Sequence, residues 1–361
     1  MPAYRILGDQ LISNGEFISR LASRRGGLES ADDFAQSKLR KAFAPAGLEA
    51  SSSAATQFVP IGLGRPLTIL IREVYTGRFP VKGLFSGAKP MAIVTGLKDY
   101  SVFAAASRAV NFLERNIAPR TRFRAPSTFA DGTNVVAYSP AVLTDSFHFT
   151  VEMAFDNFDA ELFDKISKGL TAAAGIPLLM PAAGYLLAAS GLIKVGAEWA
   201  DGLIDGNAAF SVTDSLDFNL PGTVPPSADF RVLCRFDAAG LRYDPSRGLL
   251  DTDGRVYDGD EPYVIVSLDG AERKNLEAFA PSLATAAVLK QFFNMRSGAE
   301  LSVTALLDGM KLANDMKYRA DAEALKRQIA TAGTDAEREG LQARLESLNK
   351  NILNDVLRVE W

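Results

Sequence analysis

Residues 146–155 read Ser-Phe-His-Phe-Thr-Val-Glu-Met-Ala-Phe, and large apolar residues occupy alternate positions from Phe147 to Phe155. Successive side chains of a β-strand point to opposite faces of the sheet, so this period of two predicts a strand with one apolar face. The other face carries His148, the only histidine of the chain. We interpret His148 as part of a polar sheet surface, with a catalytic or pH-sensing role as the alternative.

Seven further segments share the β-branched and aromatic composition of strands and lie between Pro- and Gly-rich stretches. They are residues 67–75, 91–95, 134–138, 209–213, 229–236, 254–257 and 263–268. Because few helices are predicted between them, they favour an antiparallel β-sandwich over a doubly wound parallel sheet. Residues 263–268 are apolar on both faces and therefore predict a central strand.

The entry into this central strand resembles a known family. The run Glu261-Pro262-Tyr263-Val264-Ile265-Val266 is similar to the Asp-Pro-Tyr-Val segment of C2 domains, in which a loop carboxylate precedes a central strand. The resemblance is confined to these residues and implies a C2-like β-sandwich, a fold that often binds calcium or phospholipid. It assigns one residue to a ligand position, namely Glu261, which stands where the family usually has aspartate.

Helical periodicity is found at both ends of the chain and in one internal segment. We predict N-terminal helices and a linker in residues 1–57, a β-sandwich domain in residues 58–300 with a helical insertion at 158–205, and a helical hairpin in residues 301–361. The predicted fold class is therefore α+β, with a C2-like antiparallel β-sandwich framed by helices.

The predicted C-terminal hairpin turns near Thr334, which with Glu337 fits a capping box. Each of its helices carries an apolar stripe of the coiled-coil kind, and the two stripes face each other. The stripe residues are Leu312, Met316, Ala322, Leu325 and Ile329 on the first helix, and Leu341, Leu345, Leu348, Ile352 and Val356 on the second. If the hairpin projects from the body, its oligomerisation surface is formed by Leu341, Leu345, Leu348 and Ile352. The alternative is that the hairpin folds back on the body.

Residues 169–193 carry no charged side chain, and Pro177 and Pro181 divide them. We interpret the region as two helices, 158–175 and 181–205, packed on a sheet. The alternative is an apolar hairpin, 169–204, that inserts into a membrane after a trigger. A permanent span is disfavoured because acidic residues follow directly and would lie near the apolar region. The candidate membrane or partner contacts are Tyr185, Leu186, Leu192, Ile193, Trp199 and Leu203.

Two acidic clusters flank residues 255–257 and contain Asp251, Asp253, Asp258, Asp260 and Glu261. Asp-Gly pairs are common in hairpin turns, which is the first interpretation. Clustered loop carboxylates are also what Ca²⁺ requires, so a calcium site is the second interpretation. A hydrolase that uses a divalent metal on these carboxylates is the related enzymatic alternative.

Charge and cysteine content narrow the choice of partners. The chain has 361 residues and a net charge of −4, so we do not expect a nucleic-acid partner, in spite of the basic segment 108–124. A single histidine excludes zinc sites with two histidines in one chain.

Cys234 is the only cysteine, and it shares a strand face with Phe230 and Val232, which predicts a core thiol. The first residues lack the basic start and apolar run of a signal peptide, so we expect a cytoplasmic location.

The sequence contains no phosphate-binding loop, no dinucleotide-binding fingerprint and no nucleophile elbow. We therefore expect a non-enzymatic scaffold without a cofactor, acting through protein–protein contacts in an oligomer or complex. The alternatives are the triggered membrane-active protein and the carboxylate-based hydrolase.

Overall fold

The structure is a computed structural model. It describes residues 3–22, 58–80, 89–99, 107–124, 132–155, 160–172, 178–182, 185–188, 191–194, 208–219, 223, 226–274, 276 and 303–360.

These residues form sixteen strands, which are β1 (Ala3–Leu7), β2 (Gln10–Ser13), β3 (Leu67–Tyr75), β4 (Lys89–Asp99), β5 (Ser107–Ile117), β6 (Arg122–Arg124), β7 (Val135–Ser139), β8 (Ser146–Phe155), β9 (Leu178–Ala182), β10 (Tyr185–Ala188), β11 (Gly191–Lys194), β12 (Phe210–Asp217), β13 (Phe230–Cys234), β14 (Arg242–Asp244), β15 (Gly248–Leu250) and β16 (Tyr263–Asp269). The α-helices are α1 (Asn14–Ala22), α2 (Ala160–Ala172), α3 (Val303–Thr331) and α4 (Asp335–Lys350).

The described strands make two antiparallel sheets. The first has the order β15-β14-β2-β1-β13-β16-β3-β6, with β7 also paired to β3, and the second has the order β11-β10-β9-β5-β4-β8-β12. Strands β3 and β8 have the bounds that the sequence predicts, and β16 is a central strand of the first sheet. The predicted α+β class and the antiparallel sheets are therefore confirmed, whereas a C2-like arrangement of the strands stays a prediction.

The first sheet curls until its two end strands approach each other. Arg124 of β6 donates a hydrogen bond to the carbonyl oxygen of Ser246, next to β15. The face inside the curl carries aromatic side chains such as Phe230 and Tyr243, whose ring centroids lie 5.1 Å apart. Cys234 lies on this face and is fully buried, and burial raises the pKa of its thiol to about 12. The predicted core thiol is confirmed.

The opposite face of the curled sheet packs on the second sheet. Alternate residues of β3 and β16, such as Ile71 and Val266, form one buried cluster with the alternating apolar residues of β8, such as Phe149 and Val151. The pleat thus places the period-two pattern of the sequence between the sheets. The outer face of β8 carries His148, which is half-buried, as the alternation predicts.

Helix α2 covers part of the outer face of the second sheet. Its Phe163, Ile166 and Leu170 follow helical spacing and pack on Val94 and Val110 of the sheet. The first half of the predicted helical insertion at 158–205 is therefore confirmed.

The second predicted helix of the insertion, 181–205, is wrong where the chain is described. Residues 178–182, 185–188 and 191–194 form β9, β10 and β11, which extend the second sheet beyond β5. A continuous apolar run fits a buried strand as well as a helix, because it has no period of its own. Pairing with β5 favours the strand.

The N-terminal prediction also needs correction. Within residues 1–57, the described part begins with the hairpin β1–β2, and only α1 is helical. Gly8 adopts a φ of +72° in the two-residue turn, a conformation that glycine tolerates without strain. Leu11 and Ile12 fit either period, which is why helical spacing was a poor guide here. Residues 23–57 lie outside the described part.

Candidate functional site

The C-terminal helical pair is the element that the sequence predicts best. The Thr334 hydroxyl oxygen accepts a hydrogen bond from the Glu337 amide at 3.2 Å, and the Glu337 carboxylate accepts one from the Gly333 amide at 3.0 Å. These bonds satisfy two amides that the helix itself leaves unpaired. The predicted cap and helical hairpin are confirmed.

The hairpin folds back on the β-sheet body. Leu345 and Leu348 are buried against Ala322 and Leu325 of α3 and contact Leu143 of the body, and Leu341 packs at the margin of this cluster. Ile352 is fully buried as well. The four predicted oligomerisation residues, Leu341, Leu345, Leu348 and Ile352, are thus used for packing within the chain.

Three residues that the stripe pattern places in the seam between the helices are instead exposed. Helix α3 has 29 residues and α4 has 16, so α4 cannot cover the N-terminal half of its partner. Leu312 and Met316 lie on that half, and each is 52% exposed. Val356, beyond the end of α4, is 83% exposed. The seam therefore ends where α4 ends.

A buried carboxylate holds the chain end beside this part of α3. Asp315 is 2% exposed, and its two oxygens accept the amide hydrogens of Leu353 and Asn354 at 2.9 Å each. The short 3-10 helix Asp355–Leu357 follows at once and contacts α3. Asp315, which lies between Leu312 and Met316 in sequence, thereby fixes against α3 the chain that leads into Val356.

We call Leu312, Met316 and Val356 the hairpin-end patch. Among the described residues they are the large apolar side chains with the highest exposure; the next in rank, Ile18, Val59 and Leu63, are each less than half exposed. A group of exposed apolar side chains at one place is typical of an interaction surface, whereas scattered ones are not.

The apolar segment 169–204 forms the end of α2 and strands of the second sheet where the structure describes it. Leu186 is fully buried in the cluster beneath α2. Of the other candidates, Tyr185 belongs to β10, and Leu192 and Ile193 belong to β11. Trp199 and Leu203 lie outside the described residues. None of the helices in the described ranges combines the length and the apolar character needed to cross a bilayer.

The first acidic cluster is organised as a turn. The Asp251 carboxylate accepts hydrogen bonds from the amides of Asp253 and Arg255 at 2.9 and 2.8 Å. The Asp253 carboxylate lies 3.6 Å from the Arg255 guanidinium. These contacts are those of a side chain that replaces a backbone acceptor in a turn.

The second acidic cluster faces arginines. Arg120 donates to the Asp260 carboxylate at 2.7 Å and lies 3.6 Å from that of Asp258, and Arg78 lies 4.0 Å from Glu261. In the described part of the chain, no three His, Cys, Asp or Glu side chains are grouped as metal ligands would be.

The arginines of segment 108–124 are paired in the same way. Their carboxylate partners are Glu152 for Arg108, Asp164 for Arg115, Asp260 for Arg120 and Glu73 for Arg124. This basic segment therefore contributes to folding, and its charges are largely compensated.

Ser146, His148 and Asp217 lie together on the outer face of the second sheet. The Ser146 hydroxyl oxygen is 2.7 Å from an Asp217 oxygen and 3.2 Å from His148 Nε2. A hydroxyl has one proton, and the shorter contact assigns it to Asp217. Activation of a serine nucleophile requires the hydroxyl to donate to the histidine, with the carboxylate on the far side of the ring. The arrangement is that of a polar sheet surface.

A buried charge cluster closes the curl of the first sheet, and no sequence pattern predicts it. Glu73 is 4% exposed at its side chain. It accepts hydrogen bonds from Arg124 Nε at 2.8 Å and from the Tyr263 hydroxyl at 2.5 Å. Arg122 lies 3.9 Å from the same carboxylate, with its guanidinium over the Tyr75 ring. The available signal was a single charged residue inside the apolar run 67–75.

The tyrosines around this cluster predict an alkaline loss of stability. Burial, together with the Asp258 charge, raises the pKa of Tyr75 to about 12, whereas an unfolded chain loses this proton near pH 10. Between these values the unfolded state binds fewer protons than the folded state, so the free energy of unfolding falls as the pH rises.

Urea titrations followed by circular dichroism at a series of pH values test this expectation. Between about pH 10 and 12, the free energy of unfolding should fall by about 2 kcal/mol less in Tyr75→Phe than in the wild type, because phenylalanine has no proton to lose. Parallel curves for the two proteins would contradict the assignment.

Comparison with protein-family models and with curated proteins found no match for this chain.

Proposed function

We propose that this protein is a non-enzymatic interaction protein that associates with a second copy of itself through the hairpin-end patch. The observation that carries the proposal is that Leu312, Met316 and Val356 are each more than half exposed, on α3 and on the short 3-10 helix that contacts it. Exposed apolar side chains of this kind are stabilised when a partner removes them from water.

The chain next to the patch is anchored by hydrogen bonds, which favours binding. Asp315 lies between Leu312 and Met316 on α3 and bonds the amides of the chain end. A surface that is ordered before it meets its partner loses less conformational entropy on association. A second copy is the occupant that we propose, because one patch meets an identical patch across a two-fold axis without any further surface.

Strand addition is a less favourable route to assembly at the β12 edge. Arg235 donates two hydrogen bonds to the carbonyl oxygen of Ser211, at 3.2 and 3.0 Å. The Ser215 amide donates to the side chain of Asp214 at 2.9 Å. Contacts of this kind occupy backbone groups that a new strand would need, and proteins use them to blunt sheet edges.

The non-enzymatic part of the proposal is supported by the polar groups described above. The Ser146 hydroxyl is oriented toward Asp217, away from the geometry of an activated nucleophile. The loop carboxylates of Asp251 and Asp260 are engaged by backbone amides and by an arginine. The contacts of these polar groups are therefore those of residues that stabilise the fold.

Light scattering after size exclusion, over a hundredfold range of protein concentration, tests the proposal. We expect a dimer whose dissociation constant rises at least tenfold in the double variant Leu312→Asp/Met316→Asp. A charge on each helix turn would have to be buried at the contact, which is costly. Ile18→Asp is the matched control, since Ile18 is an exposed apolar residue of α1, and it should leave the mass unchanged. A wild type that stays monomeric at every concentration would refute self-association.

A further inference from the structure

A cleft separates α4 from the sheet body and lies apart from the hairpin-end patch. Its volume is about 200 Å³. On the body side it is lined by Leu63, Leu143 and Asp145, and on the helix side by Gly340 and Arg344. The fold thus provides one apolar wall and two charged groups.

Two glycines explain why the cleft exists. Gly64 has a φ of +72°, and a Cβ at this position would overlap the Ser347 side chain, so the body touches α4 here. At Gly340, two turns earlier on the helix, a Cβ would meet no atom within 4 Å. The helix is therefore in close contact with the body at Ser347 and separated from it at Gly340, which leaves the cleft open.

The two charges in the cleft are of opposite sign and do not pair. Arg344 makes no hydrogen bond or ion pair with any residue in the described part of the chain. The Asp145 carboxylate accepts one hydrogen bond, from the Asn219 side chain at 3.2 Å, and has no cationic partner there. Most other arginines near the body face a carboxylate. A cation and an anion in one cleft that do not pair with each other, and that have no ionic partner in the described part of the chain, leave room for a ligand that carries both signs.

The anionic side is held in place by the backbone. The Asp145 carbonyl oxygen accepts the amide hydrogens of Phe218 and Asn219 at 2.8 and 3.3 Å. The Gly64 amide donates to the Val142 carbonyl oxygen at 2.8 Å, which fixes the apolar wall. A site whose groups are ordered before binding has a lower entropic cost.

We propose that this cleft binds a free α-amino acid with an apolar side chain. The ligand carboxylate pairs with Arg344, its ammonium group pairs with Asp145, and its side chain packs on Leu63 and Leu143. The volume lies below that of pockets for drug-sized ligands, which favours a molecule of this size. Because both charged residues are exposed, each pair is screened by water, and we expect a dissociation constant in the millimolar range.

The test uses the full chain and L-leucine as the probe, with amide chemical shifts followed by NMR. We expect saturable shifts at the amides of Phe218, Asn219 and Gly340. Leucinamide lacks the carboxylate and N-acetylleucine lacks the ammonium group, so each should bind about threefold more weakly. Raising the salt concentration should also weaken leucine binding.

Variants test the two contacts separately. Arg344→Met and Asp145→Asn should each weaken leucine binding about threefold, as expected for exposed ion pairs, whereas Arg327→Met and Asp321→Asn, exposed positions on α3, should leave it unchanged. Gly340→Leu should fill the cleft and abolish binding. Absence of saturable shifts, or shifts that persist equally in both Arg344→Met and Asp145→Asn, would overturn the proposal. Neither result bears on self-association, which is measured on unliganded protein.

Discussion

Replacement of Arg231 by alanine is expected to lower the free energy of unfolding by about 3–5 kcal/mol. Arg231 lies on β13 between the two sheets, with a side chain that is 1% exposed. Its Nη1 donates to Asp214 at 2.6 Å, and its Nε donates to Asp229 at 3.3 Å. Alanine would leave both carboxylates buried without this cation, and an uncompensated buried charge is among the most costly defects in a core.

After Arg231 is replaced, Asp229 and Asp214 differ in the polar contacts that they retain. Asp229 keeps the Ser227 hydroxyl at 2.7 Å and Arg5 at 3.8 Å. Most of the lost stability should therefore come from Asp214, whose charge is left without Arg231. Urea unfolding followed by circular dichroism measures the effect. In an Arg231→Met background, Asp214→Asn should recover part of the stability because it removes the orphaned charge.

Arg235→Ala is the matched control for Arg231. Arg235 is exposed, and within the described part of the chain it donates to the Ser211 carbonyl oxygen alone. Water can replace this contact, so we expect a change of less than about 1 kcal/mol in the free energy of unfolding. If Arg231→Ala cost no more than Arg235→Ala, the buried network would not be a determinant of stability.

Replacement of Glu73 by alanine is the second large effect that we expect, again about 3–5 kcal/mol. The Glu73 carboxylate accepts from Arg124 and Tyr263, and Arg122 lies within ion-pair distance. Its removal leaves the Arg122 and Arg124 guanidinium groups without this carboxylate at the junction of β3, β6 and β15, which we call the sheet seam. Gly248 has a φ of +92°, and a Cβ there would lie 2.6 Å from a Glu73 oxygen, so the seam has no room for rearrangement around a larger residue.

Thermal unfolding of three variants separates the contributions at Glu73. Glu73→Gln keeps an acceptor for the Tyr263 hydroxyl and should cost less than Glu73→Ala. Glu323→Ala removes an exposed carboxylate that pairs with Arg319 at 3.1 Å, and exposed pairs contribute less than about 1 kcal/mol. Equal losses in Glu73→Ala and Glu323→Ala would show that burial does not strengthen the seam.

The sequence predicts local structure well where one period is unambiguous. Residues 67–75 and 146–155 are strands with the predicted bounds, and Thr334 caps α4 as its spacing with Glu337 indicates. In these segments propensity, alternation and capping agree, so tertiary contacts have no conflict to resolve.

The sequence misleads where two structures fit the same pattern. Residues 178–194 are apolar without a clear period, and residues 9–13 carry an apolar pair that a helix or a strand accommodates equally. The structure pairs the first segment with β5 and the second with β1. Such pairing depends on partners remote in the chain, which a local pattern does not contain.

By itself, then, the sequence determined the class of the protein, two of its longest strands, the core thiol Cys234 and the C-terminal helical pair. Those features follow from side-chain periodicity and local hydrogen bonds. The tertiary structure decided which stripe residues are covered, since the length of α4 leaves Leu312, Met316 and Val356 in water. The tertiary structure also determined which charged residues meet. Glu73 and Tyr263, for example, are 190 positions apart in the chain and come together only when the first sheet curls.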